Sequence, residues 1–217
     1  MFLGHFGLAF GAKRYAPAAG LGTLFLAAQF VDLLWPVLLL LGVERVAIVP
    51  GITVVTPLDF QHYPFSHSLV ASFGWAALLG AIHYAMFRST RAASAIALLV
   101  ASHWFLDLVV HRPDLPLIPG NEARVGLGLW NSLPATLTLE LALLGAGAWI
   151  YARTTRARDG VGRWAFVGLL AFLLVIEAAN MLGPPPPSVD AIAWVGQAQW
   201  LLVLWAFWID RHREATR

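Results

Sequence analysis

In the stretch SHWFLDLVVHRPD, residues 102–114, His103, Asp107 and His111 recur at intervals of four. On an α-helix that interval returns to the same face about one turn further on, so the three side chains form a single row. A histidine and a carboxylate so spaced can ligate one metal ion, or a His–Asp hydrogen bond can pin helices together. Upstream, DFQHYPFSHS offers His62 and His67. Asp32 stands alone in an apolar run, with no other charge between Arg14 and Glu44. A carboxylate in hydrocarbon is costly unless it is paired, protonated or bound to a cation. No Lys or Arg falls inside an apolar run to pair with it, which leaves histidines and a metal. One divalent ion would neutralise Asp32 and Asp107 together. The chain has no cysteine, so the ligands of any transition metal must be His, Asp or Glu.

Other groups extend this set. His5 lies about two turns before Lys13 in an apolar N-terminal segment, and reads equally as a ligand or as a core histidine bonded to a carbonyl. Glu140 is the one acid of its apolar run, and reads as a ligand, a general base or a buried protonated acid. His111 continues the His103–Asp107 row one turn nearer to water. Glu140 and His111 are therefore the candidates for proton transfer beside a metal. Glu177 and Asn180, at i and i+3, could bind substrate or make a packing hydrogen bond. His83 and His212 read as bystanders.

The elements that must hold these residues are apolar helices. Of the 217 residues 59% are hydrophobic and 12% charged, against about half and a quarter in soluble domains. The apolar residues fall into six runs, approximately 18–43, 65–87, 92–110, 130–151, 164–182 and 191–209. Each is close to the ~20 residues that cross ~30 Å of hydrocarbon. Residues 1–12 are too short to span and read as a half-membrane helix or interfacial segment. Their order, apolar first and basic second, is opposite to that of a secretory signal, so the segment is expected to stay. The predicted fold is all-α: a polytopic helical membrane bundle forming one integral membrane domain over 1–217, with the metal-site half in 1–120 and three further helices in 121–217. Residues 46–56 carry two β-branched runs around Pro50-Gly51 and predict a small hairpin. Residues 112–124 have repeated prolines and predict an extended loop.

Charge sets an expected orientation. Lys13, Arg14, Arg88, Arg91, Arg153, Arg156, Arg158, Arg163, Arg211, Arg213 and Arg217 fall on one side of this topology, and only Arg45, Arg112 and Arg124 on the other. The positive-inside rule then places both termini in the cytoplasm. His62, His67 and His111 share the opposite end, although the topology was built from Lys and Arg alone. A formal net charge of +2 without a basic stripe gives no nucleic-acid signal. The ten tryptophans fit interfacial anchoring, with Trp35, Trp130, Trp164 and Trp208 near span ends.

Four segments, GHFGLAFGA, AQFVDLLWP, HYPFSHSLV and ASHWFLDLVVHRP, together resemble the predicted bacterial inner-membrane metal-dependent hydrolases, the LexA-regulated YdjM-like family. That family typically shows an N-terminal Gly-His, a Pro-Asp-x-Asp in the first span, a His-Arg-Gly-x-Thr-His-Ser and a Ser-His-x-x-x-Asp. The resemblance covers the first 120 residues or so; the last three spans match no family pattern. It extends distantly to zinc-dependent phospholipases C and fungal zinc nucleases, helical enzymes whose zinc ions are held by His, Asp and Glu. It implies that His5, Asp32, His67, His103 and Asp107 are metal ligands, with His62 in place of the first His of His-Arg-Gly. This chain departs by having Asp32 alone for Pro-Asp-x-Asp, Tyr63-Pro64 for Arg-Gly, and Ser66 for Thr, so one ion or two is expected. The function so implied is zinc-dependent hydrolysis in the inner membrane. A lipid phosphoester is the expected substrate, an amphiphile reaching the site laterally from the surrounding lipids. The alternatives are an ion- or proton-coupled transporter, since intramembrane acids and histidines also mark ion paths, and a noncatalytic membrane protein with a structural metal. The lack of an internal repeat weighs against the transporter.

Overall fold

The computed structural model describes residues 1–216. Nine α-helices in that range form the body: α1 (Leu3–Tyr15), α2 (Leu21–Leu40), the single turn α3 (Pro64–His67), α4 (Leu69–Phe87), α5 (Thr90–Val110), α6 (Leu133–Thr154), α7 (Gly160–Leu182), α8 (Val189–Gln197) and α9 (Gln199–Arg211). Three antiparallel strand pairs close the ends: β1 (Arg45–Ile48) with β2 (Leu58–His62), β3 (Leu115–Pro116) with β4 (Arg124–Val125), and β5 (Thr155–Ala157) with β6 (Arg213–Ala215). Four of the nine helices start where the N-cap side chain takes up an orphan backbone N–H group. Ser68, Ser89, Asp159 and Ser188 cap α4, α5, α7 and α8, accepting from Ala71, Ala92, Gly162 and Ala191.

Six helical stretches are long and apolar enough to cross a membrane: α2, α4, α5, α6, α7 and the pair α8–α9. Their outward faces carry exposed Leu78, Ile82, Leu98, Trp149, Val175 and Leu204. A belt of that kind would be an aggregation surface in water and is ordinary against lipid. The chain is a multi-pass membrane protein built as an all-α bundle. The expected spans differ from the observed ones mainly at two places. The second begins with a separate turn, α3, because Ser68 leaves helical geometry (φ −69°, ψ 151°) between His67 and Leu69. The sixth, expected as one helix, is two, joined at Ala198.

Helix α1 lies inside the bundle rather than at an interface. Leu3, His5, Phe6, Ala9 and Phe10 are buried, and 13 residues span about 20 Å, roughly two-thirds of the hydrocarbon thickness. Its closest partner is α6. A Cβ on Gly147 would sit 1.9 Å from the Gly7 carbonyl oxygen, and one on Gly7 would sit 2.4 Å from that of Leu143. Small residues let two backbones touch where lipid gives no hydrophobic drive to association. This contact brings α1 against Glu140 on α6.

Two apolar cores follow. The larger contains Phe6, Phe10, Phe25, Tyr151 and Phe166 between the helices. The smaller joins Trp35, Phe60, Tyr63, Trp104 and Leu115 under the two hairpins that close one end. The first hairpin differs from expectation: its second strand is Leu58–His62, and Ile52–Thr56 is not a strand. There Thr53 Oγ1 accepts from the Thr56 N–H at 2.9 Å and donates to the Thr56 carbonyl at 2.8 Å, a local bond that competes with a strand ladder. The 112–124 loop is in strand at β3 and at Arg124, where β4 begins and pairs back with Pro116.

Candidate metal centre

Five of the expected ligands meet at the hairpin end of the bundle. His5 comes from α1, Asp32 from α2, His67 from the turn α3, and His103 and Asp107 from α5. His103, Asp107 and His5 form one group whose donor atoms all lie within 4.8 Å of one another; Asp32, His67 and His103 form another. His103 Nε2 is 3.2 Å from Asp107 Oδ2 and 3.6 Å from Asp32 Oδ1. His67 Nε2 is 3.4 Å from Asp32 Oδ1 and 3.8 Å from Asp107 Oδ2. Donor atoms that share one ion ~2 Å away lie roughly 3–4 Å apart. The His5 and His103 rings stack in parallel with centroids 3.8 Å apart, and His5 Nε2 reaches Asp107 Oδ1 at 3.2 Å. The Met1 amine lies 2.6 Å from the same oxygen.

The bonds behind these rings determine which nitrogens face inward. His103 Nδ1 is 2.9 Å from the Ala28 carbonyl. A carbonyl only accepts, so Nδ1 carries the proton and Nε2 is turned to the acids. His67 is set by a relay. Ser66 Oγ donates to Glu44 Oε2 at 2.6 Å, which leaves Oγ to accept from His67 Nδ1 at 2.7 Å. Glu44 is itself buried and its Oε1 accepts from the Phe65 and Ser66 N–H groups. Backing of this kind fixes the tautomer and aim of a metal-ligating histidine. Among the described residues His103 Nε2 has no hydrogen-bond partner. Its short approach to Asp107 lacks hydrogen-bond geometry, as expected of atoms that face a common point rather than each other. The residues therefore fit a divalent cation, which imidazole and carboxylate donors could hold.

Asp32, His67 and Asp107 of the cluster line a cavity of about 470 Å³. His111 and Glu140 also line it. His111 ends α5, and its Nδ1 donates to Asp114 Oδ1 at 2.9 Å, which leaves Nε2 as the basic nitrogen. Burial pulls the imidazole below its ordinary pKa, so it is neutral near pH 7. Tyr63 donates to the same Asp114 oxygen at 3.3 Å, and burial pushes its phenol well above the ordinary value. Arg112 holds the other Asp114 oxygen at 2.9 Å. Glu140 is differently engaged. Its two oxygens accept from the Phe2 and Gly4 N–H groups at 2.9 and 2.8 Å, the place of a cap on α1.

His62 is not brought to the cluster. It lies on β2 opposite Arg45, with its ring 6.5 Å from that of Phe65, and it lines a separate small cavity with Arg124 and Glu122. The strand alternation turns it away while His67, one helical turn later, points in. Trp35, expected at the interface, is buried in the smaller core, whereas Trp164 is exposed. His83 and His212 lie away from the cluster. His212 instead bonds Asp159 at 2.7 Å.

Several participants escaped the sequence reading. Asp114 stands three residues after His111 and could have been found from that spacing. Ser66 adjoins His67, but nothing in the sequence shows that its partner would be Glu44, 22 residues away. No family model, curated protein or solved structure matches this chain, so the reading of the centre rests on its own geometry.

Proposed function

We propose that this chain is a membrane-embedded, metal-dependent hydrolase, with zinc as the ion and an amphiphilic ester, a lipid phosphoester first, as the substrate. One observation carries the reading. Two imidazoles, each fixed by a bond from Nδ1, turn Nε2 toward the carboxylates of Asp32 and Asp107, which line a cavity. Asp32, His67, His103 and Asp107 would hold the ion, with His5 beside them. The ion would supply Lewis acidity and water activation there. His111 is the proton-transfer group, a neutral imidazole oriented by Asp114 as a general base is oriented by a buried acid. Glu140 has both oxygens on backbone N–H groups, so its part is to hold α1 and with it His5. The resemblance to the YdjM-like inner-membrane hydrolases over the first 120 residues supports the same chemistry.

Metal analysis of protein purified without chelators, followed by assay of the loaded protein on short-chain phosphoesters and acyl esters, tests this. The expected result is bound zinc and turnover, with His111→Asn keeping the metal and losing turnover by roughly 100-fold or more. A metal-free preparation, in which protonated imidazoles meet the acids instead, sinks the metal centre. Loaded protein that cleaves no ester sinks the hydrolase and favours ion transport.

The same reading places the protein in the bacterial inner membrane with the hairpin end outside and the C-terminus in the cytoplasm, on the basic asymmetry of its loops; the N-terminal amine, expected on the cytoplasmic side, is instead buried against Asp107 at the centre, and the Lys13 end of α1 is the one that faces the cytoplasm. Cysteines at Gln61 and Asn121 should then react with an impermeant maleimide in intact cells, and one at Arg158 should not. The opposite labelling pattern reverses the orientation.

A further inference from the structure

The cavity above the centre has a chemical bias that the metal does not explain. Asp32, Asp107, Glu140 and Glu177 all line it; among the described residues no Lys or Arg side chain does, and the Met1 amine, which also lines it, is taken up by Asp107. Asp32 and Asp107 face the ion, and Glu140 is bonded to two backbone N–H groups. Glu177 is left over. It is 4% exposed, projects from the far end of α7, and its Oε1 has no hydrogen-bond partner among the described residues. Two more residues that line this cavity each carry a buried polar atom without a partner among the described residues: Gln199 Oε1, an acceptor, and Trp35 Nε1, a donor.

Unpartnered buried groups are rare because each forfeits its hydration. Three around one cavity call for a ligand that supplies the complements. Two acceptors, one of them an acid, ask for a donor-rich cation. A primary ammonium has three N–H donors and no acceptor. The lone donor, Trp35, sits one turn beyond Asp32 on α2, on the metal side, where an acceptor oxygen of the reacting group would lie.

We propose that the cavity binds an amphiphile with an amino headgroup, its ammonium against Glu177 and Gln199 and its phosphoryl oxygen toward Trp35 and the metal centre. This rests on the cavity being the substrate site and narrows the substrate from lipid phosphoesters at large to zwitterionic ones. An anionic headgroup bearing only hydroxyls would leave the Glu177 carboxylate without a counter-charge.

The test titrates metal-loaded protein in detergent with dihexanoyl phosphatidylethanolamine and with dihexanoyl phosphatidylglycerol. Native mass spectrometry reads it, separating intact bound lipid from product by mass. The ethanolamine lipid should bind roughly 10-fold or more tighter, and Glu177→Gln should bring the two lipids to within about 2-fold while metal content is unchanged. Glu177→Gln keeps the shape of the side chain, so it should fold; should it not, Gln199→Leu is expected to weaken the ethanolamine lipid alone. Equal affinities in the unaltered protein, or a preference that survives both substitutions, overturn the proposal. A preference without turnover sinks the hydrolase and leaves this site standing, whereas turnover without preference does the reverse.

Discussion

The two ends of the bundle both bury charge, and they do so in opposite ways. At the basic end Lys13 donates to the Ala19 carbonyl at 2.7 Å and to Asp210 at 3.0 Å, and Asp210 accepts from the Leu21 N–H at 3.0 Å. Arg213 donates to Thr155 Oγ1, the Thr155 carbonyl and the Gly162 carbonyl, and lies over the rings of Tyr151 and Phe166. Each of these buried charges has its complement within the chain, although the Tyr151 hydroxyl beneath Arg213 has no partner among the described residues. At the hairpin end His103 Nε2, His5 Nδ1, Glu177 Oε1 and Trp35 Nε1 do not. A sequence that closes one network and leaves the other open is specifying structure at the first and an exogenous ligand at the second. Burial of polar groups alone would not separate the two ends; the state of their hydrogen bonds does.

The largest effect should come from emptying the open end. His103→Ala or Asp107→Ala is expected to reduce bound metal from its unaltered stoichiometry to background, read by elemental analysis. Stripping the metal should also lower the melting point. An ion present at about 1,000 times its Kd stabilises the protein that binds it by about 4 kcal/mol. If the stripped and loaded proteins melt together, the open end is not closed by a metal and the comparison fails.

Breaking the closed end should cost stability and nothing else. Lys13→Met leaves Asp210, whose side chain is about one-fifth exposed, without its cation. Removing one partner of a buried pair destabilises by about 3–5 kcal/mol, and the partial exposure of Asp210 puts this case at the low end. The melting point should fall while metal per protein stays constant. Loss of metal in this variant would show the two ends to be coupled through α1, which carries both Lys13 and His5.

The contrast also explains what was legible in the sequence. Apolar runs of membrane length gave the spans, because in lipid every backbone group must be satisfied within a helix. The four-residue spacing put His103 and Asp107 on one face, and the isolation of Asp32 marked it as needing a partner. The rest depended on contacts between distant segments. Glu44 reaching Ser66, and Glu140 capping α1, join residues that no local pattern connects. His62 misled because its neighbourhood in sequence matches that of a ligand, while the alternation of β2 and the turn at Pro64 send it and His67 in different directions. Lys13 looked like the boundary of an apolar segment, and α1 in fact carries it into the bundle.

A smaller effect tests the relay. Ser66→Ala removes the acceptor for His67 Nδ1 and leaves Glu44 with an unmet oxygen, but keeps every ligand. Loss of such backing weakens metal binding by about 10- to 100-fold. Competition with a chromophoric chelator measures this directly. Ser66→Thr keeps the hydroxyl and should restore the affinity, which a merely structural defect would not predict. Equal affinity in Ser66→Ala and the unaltered protein would mean that His67 is not a ligand.

The smallest effect is expected at His62, and it sharpens the boundary of the site. The residue is at the same end of the bundle as the centre, and the family resemblance puts it among the ligands. The structure instead gives it Phe65 as its ring neighbour and a different cavity, with Arg124 close by. Neither metal-competent group contains His62. His62→Asn should therefore leave metal stoichiometry unchanged and shift affinity by less than about 2-fold, as for sites that share no partner. The chelator competition that reads Ser66→Ala reads this variant too, so the two substitutions calibrate each other. A 10-fold loss in His62→Asn would require the first hairpin to fold over the centre when metal binds, and would move β2 from the wall of the site into it.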